Sequence, residues 1–237
     1  GADRGTASAP SIAKDRDRLR KSIERWLAMW NYRKPIIAQV QGRALGFGFA
    51  LATSLAMAIE EPSYKLLLQE DRMELRAYAP FTIAEVKVQG SFDEASRRGF
   101  RLIADYIFGN NRSISQPDRS EKIAMTAPVT VEAQSSAEGE AWRMHFVMPS
   151  TYRLQSLPKP NNDAVQLREV GEGLFAAIRF SGFTTESAIE TRTQELQQWI
   201  LTKGWAITGK AQIARYNDPF TLPFNRRNEI LIPVKQP

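Results

Sequence analysis

The sequence predicts an antiparallel α+β domain over residues 60–237, on three observations. Strand-like segments pair as hairpins across short polar turns. A strand, a closing glycine and a helix occur in that order twice. No glycine-rich phosphate loop interrupts the alternation, so nothing calls for a doubly wound parallel sheet.

The elements follow in order. Tyr64–Leu68 and Met73–Tyr78 flank the polar turn Gln69-Glu70-Asp71-Arg72 and read as a hairpin. After Pro80, residues 81–88 are strand-like and Gly90 closes them. Phe92 to Phe108 predicts a helix, with Phe100, Ile103, Ala104 and Ile107 on one face and Arg97, Arg98, Arg101 and Asp105 largely on the other. Gly109-Asn110-Asn111 ends it. Ile123–Val131 and Trp142–Met148 alternate around the polar loop 133–141. Leu174–Phe180, Gly182, a helix from Ser187 to Thr202 and the stop at Gly204 repeat the first unit. Ala84 and Ala176, Val86 and Ile178, Gly90 and Gly182, and Glu94 and Glu186 are each 92 residues apart, which points to an internal duplication. Ala211–Tyr216 and Ile230–Val234 complete the strands.

Composition narrows the function classes. The chain has 237 residues, 43% hydrophobic and 24% charged, enough to bury a core without staples. It contains no cysteine, which excludes disulfides, thiolate nucleophiles, zinc–cysteine sites and iron–sulfur clusters. The net charge of +6 lies entirely in the head: residues 1–59 hold ten Lys/Arg and four Asp/Glu, leaving twenty-two of each in residues 60–237. The body therefore has no electrostatic footprint for nucleic acid.

The head is a different kind of sequence. Its first eleven residues are small and polar, and Asp15 to Trp30 predicts a helix with Leu19, Ile23, Trp26, Leu27 and Trp30 at three- and four-residue spacing. Ala44 to Ile59 is uncharged, follows Arg33, Lys34 and Arg43, and carries Ala56-Met57-Ala58 in the small-x-small form of an export cleavage site. Its sixteen residues fall short of a membrane span, which needs about 20. On the signal-peptide reading the body is exported or periplasmic; otherwise it is cytoplasmic. The stretch from Trp26 through Lys34-Pro35-Ile36-Ile37-Ala38-Gln39-Val40 to Gly42 and Ala44-Leu45-Gly46 also resembles part of a crotonase-type (enoyl-CoA hydratase) domain. There, a glycine-rich turn holds a thioester oxyanion on backbone N–H groups. Phe47 replaces that family's central glycine, and no downstream acids match, so the head is expected to be non-catalytic.

Three longer segments carry a second resemblance: EKIAMTAPVTVE (121–132), MHFVMPSTY (144–152) and YNDPFTLPFNRRNEILIPV (216–234). With the opening EEPSYKLL they resemble the SOUL haem-binding family over nearly all of residues 60–237. Asp218 stands where members often have a proline. The resemblance implies a distorted antiparallel β-barrel of about eight strands flanked by two helices, from two βαββ-like halves. It also implies non-covalent binding of haem or another tetrapyrrole.

The same resemblance places haem in an apolar groove against the first helix, with basic side chains near the propionates. The matching positions are Arg97, Phe100 and Arg101. Arg97 and Arg101 are one helical turn apart and can meet carboxylates from one side, although Asp105 sets a like charge against them. A solvated helix face is the ordinary alternative for both. Met125 is a further cofactor-binding candidate, and His145, the only histidine, is the obvious axial ligand to test. Alternation puts Trp142, Met144, Phe146 and Met148 on one face and His145 on the other, so His145 is expected not to be indispensable to a ligand held by the methionine face. No G-x-S-x-G or paired carboxylates occur, so no enzyme is expected. Glu229 reads as a structural ion-pair or turn residue. The leading function is a haem or porphyrin carrier, buffer or sensor. The alternatives are an effector-binding module for another small apolar ligand, or an enzyme using the same cleft.

Overall fold

The computed structural model describes residues 59–134, 139–218 and 220–237. The head helix at 15–30, the leader or crotonase-like stretch up to residue 58, residues 135–138 of the 133–141 loop and Pro219 lie outside the described residues.

The predicted hairpin forms as β1 (Tyr64–Glu70) and β2 (Met73–Tyr78), turning through Asp71 at φ +54°. β3 (Phe81–Gln89) runs into Gly90, whose φ of +113° suits glycine, and then into α1 (Phe92–Ile107). Glu94 caps α1 by accepting hydrogen bonds from the Ser91 N–H and hydroxyl at 3.3 and 3.0 Å. The same order returns in β9 (Gly173–Phe180), Gly182 at φ +101° and α2 (Glu186–Thr202), where the Thr185 hydroxyl accepts from the Ala188 N–H.

The other strands are β4 (Asn111–Arg112), β5 (Val129–Gln134), β6 (Ala141–Val147), β7 (Lys159–Pro160), β8 (Gln166–Val170), β10 (Ala206–Ile207), β11 (Gln212–Arg215) and β12 (Asn228–Lys235). β4 and β7 pair with each other in a separate two-stranded sheet, and the remaining strands build a strongly curled antiparallel sheet in the order β1-β2-β9-β12-β11-β5-β6-β3-β8, with β10 pairing β12 outside that path. This is the α+β distorted barrel of the expectation, left open between β1 and β8 and carrying ten strands rather than about eight.

The first central strand begins later than its sequence suggests. Residues 123–128 are not in the ladder, because the Ile123 N–H goes to the Ile107 carbonyl, the Ala127 N–H goes to Glu60, and Pro128 has none to give.

The two faces of the sheet have different fates. One face is apolar: Val86 on β3, Met144 and Phe146 on β6, Ile178 on β9 and Ile230 and Ile232 on β12 are all buried. The helices cover it, α1 over β3 and β6 and α2 over β9 and β12. Contact under α1 is close at Gly99, where a Cβ would lie 3.0 Å from the Met144 sulfur and 3.3 Å from Val86. That layer is full. The opposite face carries Arg76, Glu85, Thr130, His145 and Glu229, which are also buried although no helix lies over them. Curling accounts for this, since it turns the polar face inward and lets distant strands shield one another.

Candidate functional site

A cleft of about 500 Å³ opens where the chain enters the domain, between residues 60–63, the start of β3 and the turn after β6. Pro62, Phe81, Val147, Met148 and Leu154 give it apolar walls, and Tyr152 and Arg153 add polar tips. Glu60, Glu61 and Glu169 put carboxylates at its rim. The entry segment is held there by the Ser150 N–H donating to Glu60 at 2.7 Å, and by Arg227 pairing with Glu61 at 2.9 Å. Thr126, inside the 121–132 motif, fixes the back wall by donating its hydroxyl to the Val147 carbonyl.

A narrower recess of about 30 Å³ lies deeper on the concave face. It shares Pro62, Phe81 and Val147 with the cleft and is otherwise lined by Tyr78, Thr130, His145, Phe175 and Leu231, among others. Seven strands supply its lining, so no local segment of the sequence encodes the recess.

His145 faces this recess from the centre of β6, paired with Glu85 on one side and Thr130 on the other. The residue is 7% exposed, and its Nδ1 is buried without a hydrogen-bond partner. Burial, reinforced by the charges of Arg143 and Arg168, pushes its pKa down to about 3 from an ordinary 6.5, so the ring is neutral at physiological pH. Because the folded value is depressed, the unfolded chain binds the proton first as pH falls. His145 therefore removes stability progressively from about pH 6.5 to about pH 3. The slope is about 1.4 kcal/mol per pH unit. Urea denaturation at pH 7.5 and 5.0 should show His145→Gln escaping about 2 kcal/mol of the acid-induced loss suffered by the parent. Equal losses in both proteins would mean that the ring is not buried neutral.

Across the concave face, Glu229 on β12 is fully buried and holds Arg76 on β2 through two bonds of 2.6 and 3.1 Å. Arg227 at 2.9 Å and the Tyr216 hydroxyl at 2.9 Å complete its shell. Burial alone would raise the Glu229 carboxyl, but hydrogen bonding and charge from Arg76, with Arg227 and Tyr216, outweigh it and hold it below the usual carboxylate value. Arg76 is raised by Glu229 against its own desolvation, and burial raises Tyr216. The expectation of a structural ion pair at Glu229 describes this arrangement. All four groups satisfy one another, and none is left to act as an acid or base.

The helix groove expected beside Arg97 and Phe100 is closed. Phe100 is 5% exposed and packs on Phe146 with ring centroids 5.5 Å apart, inside the filled helix–sheet layer. Arg97 is half-buried on α1, and Arg101 is exposed. Met125 is 38% exposed, next to the cleft-lining Thr126. None of the four lines the cleft or the recess. The alternation of β6 is as expected, with His145 opposite Met144 and Phe146, but it is the methionine face that is sealed. Sequence reasoning missed Phe81 and Leu154; the motif at 144–152 was the one signal near them.

Among the described residues, no group of three His, Asp or Glu is placed to hold a metal ion. No described helix is long and apolar enough to cross a membrane.

Comparison with known proteins adds a family and a fold. The SOUL heme-binding protein family matches residues 59–233. No curated protein sequence matches the chain. The EcmrR C-terminal domain superposes with a TM-score of 0.53 at 10% identity, covering 73% of this chain and 99% of that one. EcmrR in a DNA complex gives 0.50 at 11%, covering 97% and 73%. A hydrolase from Listeria innocua gives 0.46 at 16%, covering 78% and 98%. At such identities the first two describe the fold alone.

Proposed function

The chain belongs to the SOUL heme-binding family, and on that premise we propose that it binds haem or a related tetrapyrrole without a covalent bond, as a carrier, buffer or sensor, in the cleft beside β3 and β6. The observation that carries this is the cleft itself. Its volume of about 500 Å³ lies within the range of small-molecule sites, and Pro62, Pro80, Phe81, Val147, Met148 and Leu154 give a largely polar lining an apolar patch against which a flat ligand could lie. The sealed helix face offers no comparable space. When bound, the ligand supplies a flat apolar macrocycle with carboxylate arms and, as haem, an iron.

The chain's own residues supply the binding. Phe81, Met148 and Leu154 would cover the faces of the macrocycle, with Pro62 at the entrance. Among the described residues, polar groups of the cleft are engaged in holding its walls, Glu60 by the Ser150 N–H, Glu61 by Arg227 and Thr126 by the Val147 carbonyl, which supports binding rather than catalysis. His145 sits behind a recess of about 30 Å³, room for one or two water-sized groups and too narrow for a macrocycle to approach. It is therefore not the axial ligand.

Titration of the protein with haemin, following the Soret band, tests the reading. Saturable binding is expected. Leu154→Trp, which fills the cleft, should weaken it tenfold or more, while the paired change Arg97→Ala with Arg101→Ala should alter it less than threefold. His145→Ala should leave the Soret position unchanged. If Leu154→Trp binds haemin like the parent, the cleft is not the site. The neighbouring reading is an effector-binding module that takes another small apolar ligand in the same cleft. Absence of saturable haemin binding would favour it.

A further inference from the structure

We infer that the loop of residues 220–226, together with Phe183, is a wedge that docks the protein on a lipid bilayer, at a surface separate from the cleft. The motif at 216–234 gives Tyr216, Arg227 and Glu229 to the buried ion network. Its central Leu222-Pro223-Phe224 belongs to neither that network nor the lining of the cleft or recess. Phe224 is 70% exposed and Phe183, which follows Gly182, is 61% exposed, while Phe220 and Leu222 are about half exposed. The Gly182 N–H donates to the Pro223 carbonyl at 2.8 Å, and the Arg226 guanidinium lies 5.2 Å from the Phe183 ring, so the two segments form one patch.

Size and shape favour a bilayer over a second copy of the chain. The apolar area on view is on the order of 400 Å². A stable dimer buries about 800 Å² on each partner, roughly twice as much. The patch also sits on a chain reversal and a single 3₁₀ turn, Pro223–Asn225, rather than on a flat sheet or helix face. Its backbone is largely satisfied from within, which is what insertion beside acyl chains demands. The N–H groups of Phe220 and Thr221 go to the Asp218 carboxylate at 2.7 and 3.0 Å. Those of Asn225 and Arg226 go to the Leu222 and Pro223 carbonyls, and that of Arg227 to the Asn217 side chain. Pro223 has no N–H to leave exposed.

Charge agrees. Arg226 stands at the base of the wedge, where its Nε donates to the Thr221 carbonyl at 2.8 Å. A guanidinium at that level suits the phosphate layer that borders the hydrocarbon. Asp218, the nearest carboxylate in sequence, is committed to the loop's own N–H groups and to the Thr221 hydroxyl at 3.1 Å. These bonds fix the apolar side chains outward before any contact, so little conformational freedom is lost when they enter lipid.

The chain contains no cysteine, so Phe224→Cys gives one site for a nitrobenzoxadiazole label, whose fluorescence rises on leaving water. Leu201→Cys supplies the control, because Leu201 is as exposed, at 63%, but lies toward the far end of α2, roughly 20 Å of helix away. The full-length labelled proteins are mixed with vesicles of phosphatidylcholine, alone or with phosphatidylglycerol. The label at position 224 should brighten threefold or more and be quenched by brominated acyl chains, at lower lipid concentration when phosphatidylglycerol is present. The label at position 201 should keep its intensity in water. Adding Phe183→Ser with Leu222→Ser to the Phe224→Cys chain should raise the lipid concentration for half-maximal brightening tenfold or more, with an unchanged urea midpoint because both side chains are exposed. Reading one position separates the wedge from lipid binding by the head. A label at 224 that stays in water overturns the inference even if the chain binds vesicles, and so does equal brightening at 201 or an unchanged lipid requirement in the serine variant. Brightening that follows protein concentration without lipid overturns it too, and makes the patch an interface between two copies.

Discussion

Replacing Glu229 by alanine is expected to destabilise the domain by about 3–5 kcal/mol, the cost of leaving one member of a buried ion pair without its partner. Arg76 is 1% exposed, and no water can reach it to replace the two bonds it loses. Glu74 remains at 2.6 Å from its Nε, but the Nη atoms would keep only the Tyr78 hydroxyl at 3.1 Å. Tyr216 and Arg227 each lose an acceptor as well. The paired change Arg76→Met with Glu229→Leu removes both charges at similar volume and should cost much less, because the expense lies in the unpaired charge rather than in the missing bridge. Urea denaturation at pH 7 measures both variants. A loss below about 1 kcal/mol for Glu229→Ala would mean that solvent enters the concave face more freely than the burial of Arg76 implies.

Phe100→Ala is expected to cost about 3–5 kcal/mol as well, for a different reason. The ring is packed between α1 and β6 against Phe146, so removing it opens a cavity in the layer that Gly99 and Met144 make tight. Porphyrin affinity should change less than threefold, since the ring lies across the sheet from the cleft. The two readouts separate a packing role from a binding role. Retained stability with a tenfold loss of haemin affinity would return the site to the helix, as the family resemblance implies for Arg97, Phe100 and Arg101.

The ends of elements were legible because local chemistry decides them. Gly109-Asn110-Asn111 and Gly204 announce the helix stops, and Gly90 and Gly182 close their strands with a positive φ that other residues rarely adopt. Short pieces were not. Gln166–Val170 has little strand character of its own and becomes β8 by pairing with β3, while β4 with β7 and β10 with β12 are two-residue ladders made by tertiary proximity. Residues 123–128 look like strand but spend their hydrogen bonds on the end of α1 and on the entry segment.

By itself, the sequence determined the hairpin, the two helices, the family motifs and the opposition of His145 to Met144 and Phe146, since each depends on a period or spacing within a few residues. The tertiary structure decided which of the two sheet faces meets the helices and which curls into a cleft. Alternation says that successive side chains point apart; it does not say what will cover them. The polar face, with Arg76, Glu85, His145 and Glu229, reads as solvent-facing along each strand and is buried only because the sheet bends strands distant in sequence around it. The candidate site lies on that face because the apolar face had already been filled by the helices.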